Sequence, residues 1–133
     1  MFVHDDETAA LLREATALLD SKQNDQAIEC LYRARERMMV SAVHYPIDTW
    51  CKLPLYLSRI GRFDESMQAF DWLLEDLPRR ARKESFMDDP NVSFGKRTTK
   101  KSVFNSIIRN GKSGVERNRK VALRRQEKAN VFT

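Results

Sequence analysis

Histidine is nearly absent from this chain of 133 residues. His4 is close to the free end. His44 has no cysteine or carboxylate at ligand spacing, so no metal centre and no histidine-based acid–base pair is expected. Cysteine is as scarce: Cys30 and Cys51 form no Cys-x-x-Cys pair and complete no metal set, and both read as buried thiols of a reducing compartment. No apolar run approaches the ~20 residues that cross a bilayer, which excludes a membrane-spanning helix. The start, MFVHDDETAA, has neither the basic nor the apolar region of a secretory signal. The Gly111-Lys112-Ser113 tripeptide resembles the end of a phosphate-binding loop. That loop needs a glycine five residues earlier, where Ser106 stands, so the tripeptide reads as a turn. The acidic clusters Asp5–Glu7 and Asp88–Asp89 lack a calcium-loop pattern. A soluble cytoplasmic protein with no cofactor, no metal and no enzymatic activity is expected.

What is present is charge, unevenly spread. Residues 1–78 carry a net charge of −6 and residues 79–133 a net charge of +11. The basicity of the whole chain belongs to its C-terminal segment. Such asymmetry points to an interaction tail or to self-complementary docking.

The most regular stretch is 50–78. Trp50, Leu53, Leu57 and Ile60 stand at helical spacing, and Gly61 punctuates. Asp64 is the expected cap of a second helix with Met67, Phe70, Leu74 and Leu77 on one face, and Pro78 the expected stop. Pro54 interrupts the first of these helices. Either one bent helix spans 47–60, or a separate turn at 48–52 precedes a helix from Leu53; the regular Trp50–Leu53–Leu57 spacing favours the bent helix. A weaker pair precedes it. Leu11, Leu12, Ala15, Leu18 and Leu19 form one face, the Ser21–Asn24 region breaks it, and a second helix runs from Asn24 or Asp25 to about Ala42. Leu11 aligns with Trp50, Leu18 with Leu57, Ala27 with Ser66 and Leu31 with Phe70, each 39 residues apart.

The 50–78 run resembles a tetratricopeptide repeat. Trp50, Leu53, Gly61, Phe63, Phe70 and Pro78 stand at that family's spacings, while Pro54, Leu57 and Ser66 depart from it. Residues 8–42 make a second, looser match. The resemblance implies an all-α fold of two antiparallel helical hairpins (1–78), with Trp50, Leu53, Leu57, Gly61, Phe63, Phe70 and Pro78 as packing and turn residues. It also implies a peptide-binding groove lined by the first helix of each pair, with Arg13, Lys52, Leu55, Tyr56 and Arg59 as contact candidates. The groove lacks the asparagines of the family's carboxylate-clamping members. The period, 39 rather than about 34 residues, places the surplus between the hairpins, around HYPID with Pro46 as a first-turn residue.

Residues 79–133 read as a basic, partly helical extension: a loop over about 86–98, then helices over about 99–110 and 114–129, separated at Asn110, Gly111 and Gly114. Val103, Phe104, Ile107 and Ile108 form an apolar patch able to cap the second hairpin. The other covers for that open face are a second copy of the chain, giving a homodimer, or the functional partner. Arg79, Arg80, Lys100, Lys101, Arg117, Arg119, Lys120, Arg124 and Arg125 are the candidate tail contacts. The expected function is a non-enzymatic protein–protein interaction module, an adaptor, inhibitor or immunity-type factor. The second reading is nucleic-acid binding through the tail, without a sequence-reading motif.

Overall fold

The structure, a computed structural model, describes residues 4–131; residues 1–3 of the acidic start lie outside the described residues. Six helices follow one another: α1 Asp6–Asp20, α2 Asn24–Val40, α3 Ile47–Trp50, α4 Lys52–Arg59, α5 Phe63–Glu84 and α6 Lys100–Val131. Among the described residues there is no strand, so the fold is all-α.

Local chemistry explains where α1 begins and ends. Asp5 caps it, its carboxylate accepting the Thr8 N–H at 3.2 Å and the Thr8 hydroxyl at 2.6 Å. At the other end Lys22 takes a left-handed conformation (φ 62°). The Gln23 N–H then reaches the Leu18 carbonyl at 2.8 Å, and the Lys22 N–H the Leu19 carbonyl at 3.0 Å. This is the Schellman pattern. The turn between α4 and α5 repeats it with Gly61 (φ 85°). Arg62 N–H donates to Leu57 at 2.9 Å and Gly61 N–H to Ser58 at 3.2 Å. Gln23 and Arg62, the residues before α2 and α5, have nearly the same dihedrals (φ −89°, ψ 66° and φ −88°, ψ 66°). The helix after the second turn therefore starts at Phe63, and Asp64 sits in its first turn instead of capping it.

The two hairpins bury matching positions. Leu11 and Trp50, Ala15 and Pro54, Ala27 and Ser66, Cys30 and Ala69, Leu31 and Phe70, Ala34 and Leu73, and Met38 and Leu77 are all buried, each pair 39 residues apart. In one core cluster Ala15, Ile28, Leu31, Leu53, Leu57 and Ala69 join the hairpins to each other. A second cluster joins Met38, Trp50, Phe70 and Leu73 to Val115 and Ala122 of α6.

Four further expectations are corrected. No single helix spans 47–60: the chain makes one turn (α3), passes through Cys51 (φ −81°, ψ −4°) and restarts as α4. That break puts Pro54 in the first turn of a helix, where a missing N–H leaves nothing unsatisfied. Next, α2 ends at Val40, because Ser41 is already extended (φ −69°, ψ 145°). Thirdly, Pro78 neither stops α5 nor packs in the core. It is exposed on a helix that continues to Glu84 because Leu77 and Ala81, one turn apart, are both buried and hold it down. Arg79 and Lys83 also hold that extension, both donating to the Met39 carbonyl at the end of α2, at 3.2 Å and 3.1 Å; Lys83 donates in addition to the Ser41 carbonyl.

The last correction matters most. Gly111 and Gly114 do not separate two helices; α6 runs through both as one helix of 32 residues. Each glycine is a point of close approach. A Cβ on Gly111 would lie 2.5 Å from Leu77 Cδ1, and one on Gly114 2.5 Å from Ile47 Cγ2. α6 thus lies across α5, α4 and α3, covering the open side of the second hairpin. The cover comes from its middle, where Gly111, Gly114, Val115, Asn118 and Ala122 are buried. The Val103/Phe104/Ile107/Ile108 patch is only half-buried.

Candidate functional site

Among the described residues no group of three histidine, cysteine, aspartate or glutamate side chains could hold a metal. Cys30 and Cys51 are free and buried. Burial pushes the Cys51 thiol up to about 12, and its neighbour Asp48 acts in the same direction, so a thiolate is disfavoured there. No helix of the described residues is long and apolar enough to cross a membrane.

The expected groove residues sit on two elements, α1 and α4, and two of the five serve internal roles. Tyr56, half-buried on α4, has its hydroxyl 3.0 Å from that of Thr16 on α1. Leu55 packs against the second core cluster, and its carbonyl accepts from Arg125 of α6 at 2.8 Å. Arg13 and Arg59 are exposed, Lys52 is half-buried, and no contact joins the three among the described residues. Arg59 borders an open groove of about 470 Å³ with Phe63, Arg125 and Ala129.

Most cations of the basic extension fall into two sets. One set turns inward onto the acidic part of the same chain. Arg79 forms a two-pronged pair with Asp76 at 2.6 Å and 2.8 Å. Arg80 pairs with Glu84 at 3.1 Å, donates to the Tyr45 carbonyl at 3.2 Å and lies over the Trp50 ring at 5.6 Å. Arg117 reaches Asp48 at 2.7 Å and Asn118 reaches the same carboxylate at 3.1 Å. The Asn118 amide first, then Arg117, hold Asp48 below the usual carboxylate range. Arg119 pairs with Asp71 at 2.5 Å and covers the Phe70 ring at 5.6 Å. Arg125 donates to the Leu55 carbonyl and to the Ser58 hydroxyl at 2.9 Å. Lys100 donates to the Asp89 carbonyl.

The other set stands on the half of α6 turned away from the core. Lys101, Arg109, Lys112, Arg124 and Lys128 are exposed and have no hydrogen-bond or ion-pair partner among the described residues. Lys120 has only the exposed Glu116, at 3.6 Å. At 1.5 Å per residue the row from Lys101 to Lys128 extends roughly 40 Å. Two carboxylates, Glu116 and Glu127, and one apolar side chain, Leu123 (40% exposed), share this face. A groove of about 360 Å³ on one flank is lined by Ser113, Arg117, Lys120, Val121 and Arg124. Another, of about 370 Å³, lies between α5 and α6 over Leu74 and Val115.

Of the nine tail candidates read from the sequence, Lys101, Lys120 and Arg124 face outward. Arg109, Lys112 and Lys128 were missed. The signal that finds them is helical periodicity carried unbroken from 100 to 131, which the two glycines obscured. No family model, no curated protein and no solved structure matches the chain.

Proposed function

We propose that the chain is a non-enzymatic protein–protein interaction module, resembling a short tetratricopeptide-type array, that presents the outer face of α6 to an acidic protein partner. The observation that carries this reading is the division of the basic extension. Its inward cations are consumed by Asp48, Asp71, Asp76 and backbone carbonyls, whereas the outward row, apart from Lys120 with Glu116, lacks partners among the described residues along one continuous helix. In a repeat array, α6 would take the place of the first helix of a third pair, and its outer face is the one such arrays cover next. Glu116, Glu127 and Leu123 within the row favour a protein over a phosphate backbone, which gains nothing from carboxylates or an exposed leucine. Arg13, Lys52 and Arg59 are the secondary contacts of this reading.

The test compares the full chain with the triple variant Arg109→Glu, Arg124→Glu and Lys128→Glu. None of these side chains has an internal partner among the described residues, so the fold is retained. Affinity purification at physiological salt should recover partner proteins with the wild type and lose them with the triple variant. Titration against labelled single- and double-stranded nucleic acid should show weak binding only. Tight nucleic-acid binding with a steep salt slope, abolished in the triple variant, would sink the protein-partner reading in favour of an electrostatic nucleic-acid arm.

A further inference from the structure

Resting on that reading, we propose that the groove between α5 and α6 seats one amphipathic helix of the partner protein, with apolar side chains seven or eight residues apart and acidic flanks. Leu74 and Val115 form the groove's apolar floor, and Lys112, Glu116 and Arg119 its rim. Lys112, Glu116, Arg119 and Leu123 follow one another at steps of four, three and four, so they lie in one row along α6. Val115 itself is buried and shows only at the groove floor, while half-buried Ile108, seven residues before it, and exposed Leu123, eight after it, extend that side of α6 as an apolar seam. Such spacing matches every second turn of a neighbouring helix lying alongside.

Charge specifies the rest of the occupant. Lys112 has no partner among the described residues, and Arg119 Nε is buried without one although the rest of the guanidinium meets Asp71. An acidic side chain beside the inserted apolar one would meet Lys112 and the exposed edge of the Arg119 guanidinium. A second copy of α6 is disfavoured, because Arg109, Lys112, Lys120 and Arg124 would face their own kind. The outer side of the first hairpin is no better suited to self-association, as its groove is lined by Glu7, Glu14, Arg33 and Arg37 around Ala10 and Leu11.

The experiment uses the full chain and a labelled synthetic helical peptide with leucines seven residues apart, each flanked by glutamates. At physiological salt, binding should saturate and shift the amide resonances of Lys112, Val115, Glu116, Arg119 and Leu123. Lys112→Glu and Leu123→Glu, both at exposed positions, should each weaken binding at least tenfold with unchanged circular dichroism. If the same peptide with serines in place of leucines binds equally well, the groove is refuted and only the cationic surface of the proposed function survives. Absence of binding, or shifts confined to α1 and α4, also overturns the groove. A dimer in sedimentation whose interface covers 112–123 makes a second copy the occupant and overturns it. Duplex DNA binding more tightly than either peptide, and weakened by Arg124→Glu, removes both this inference and the function it rests on.

Discussion

Lys22 and Gly61 occupy equivalent points in two turns with the same hydrogen bonds, yet only one of them is a glycine. A left-handed conformation costs an ordinary L-residue about 1–2 kcal/mol, part of which a glycine returns through the entropy of its unfolded chain. Lys22→Gly should therefore stabilise the protein by about 0.5–1 kcal/mol in denaturant unfolding, and Gly61→Ala destabilise it by a similar ~1 kcal/mol. No atom lies within 4 Å of a Cβ placed on Gly61, so that effect is conformational and not steric. Gly114 is the opposite case. Alanine would improve helix propensity by about 1 kcal/mol, but its methyl would strike Ile47 Cγ2, and a β-branched side chain has no free rotamer to retreat into. Gly114→Ala should cost about 1–3 kcal/mol as overpacking does. The effect should largely vanish in an Ile47→Ala background, a coupling that a double-mutant cycle measures.

At the scale of elements, α5 and α6 show packing overriding local preference. Pro78 removes one backbone donor and crowds the carbonyl one turn before it, yet Leu77 and Ala81 keep the helix going. Because Pro78 is exposed, Pro78→Ala should stabilise the protein by roughly 1–3 kcal/mol, read as a raised denaturation midpoint with unchanged slope. No increase would mean that the helix is already bent to suit the proline. α6 is no appendage. Val115 (1% exposed) and Ala122 (0%) belong to the same cluster as Trp50 and Phe70. A fragment ending at residue 99 should lose its cooperative thermal transition, since it uncovers Leu77 and takes Val115 and Ala122 out of the cluster that holds Leu73.

For the whole molecule, the acidic hairpins and the basic extension hold each other partly by charge. Asp5 is depressed by the Thr8 hydroxyl first and Ser41 next, and Asp48 by Asn118 and Arg117. Both carboxylates have folded-state values below their unfolded value of 3.8. Their contribution is thus fully present above about pH 4 and is lost as pH falls through the folded values. Melting temperature should be flat from pH 7 to about pH 5 and fall steeply below about pH 4. Asp48→Ala should lower the plateau and flatten part of that acid limb. An unchanged limb would show that the Asp48–Arg117–Asn118 cluster adds nothing to stability.

Much of this was written in the chain itself. The 3.6-residue periodicity determined that the fold is all-α. The 39-residue offset determined two hairpins of the same build, with Trp50, Leu53, Leu57 and Phe70 inside. The charge imbalance set a basic C-terminal segment against acidic hairpins. Local sequence could not decide what happens at Pro78, Gly111 and Gly114, because their helix-breaking tendency, about 1 kcal/mol for glycine and 3 for proline, is smaller than the burial of Leu77, Ala81, Val115 and Ala122 that only a packed neighbour supplies. Nor could it sort the cations. Which arginines meet Asp48, Asp71 and the Leu55 carbonyl, and which lysines and arginines are left facing solvent, depends on how far α6 rotates about its axis. The two glycines lying against Leu77 and Ile47 set that rotation.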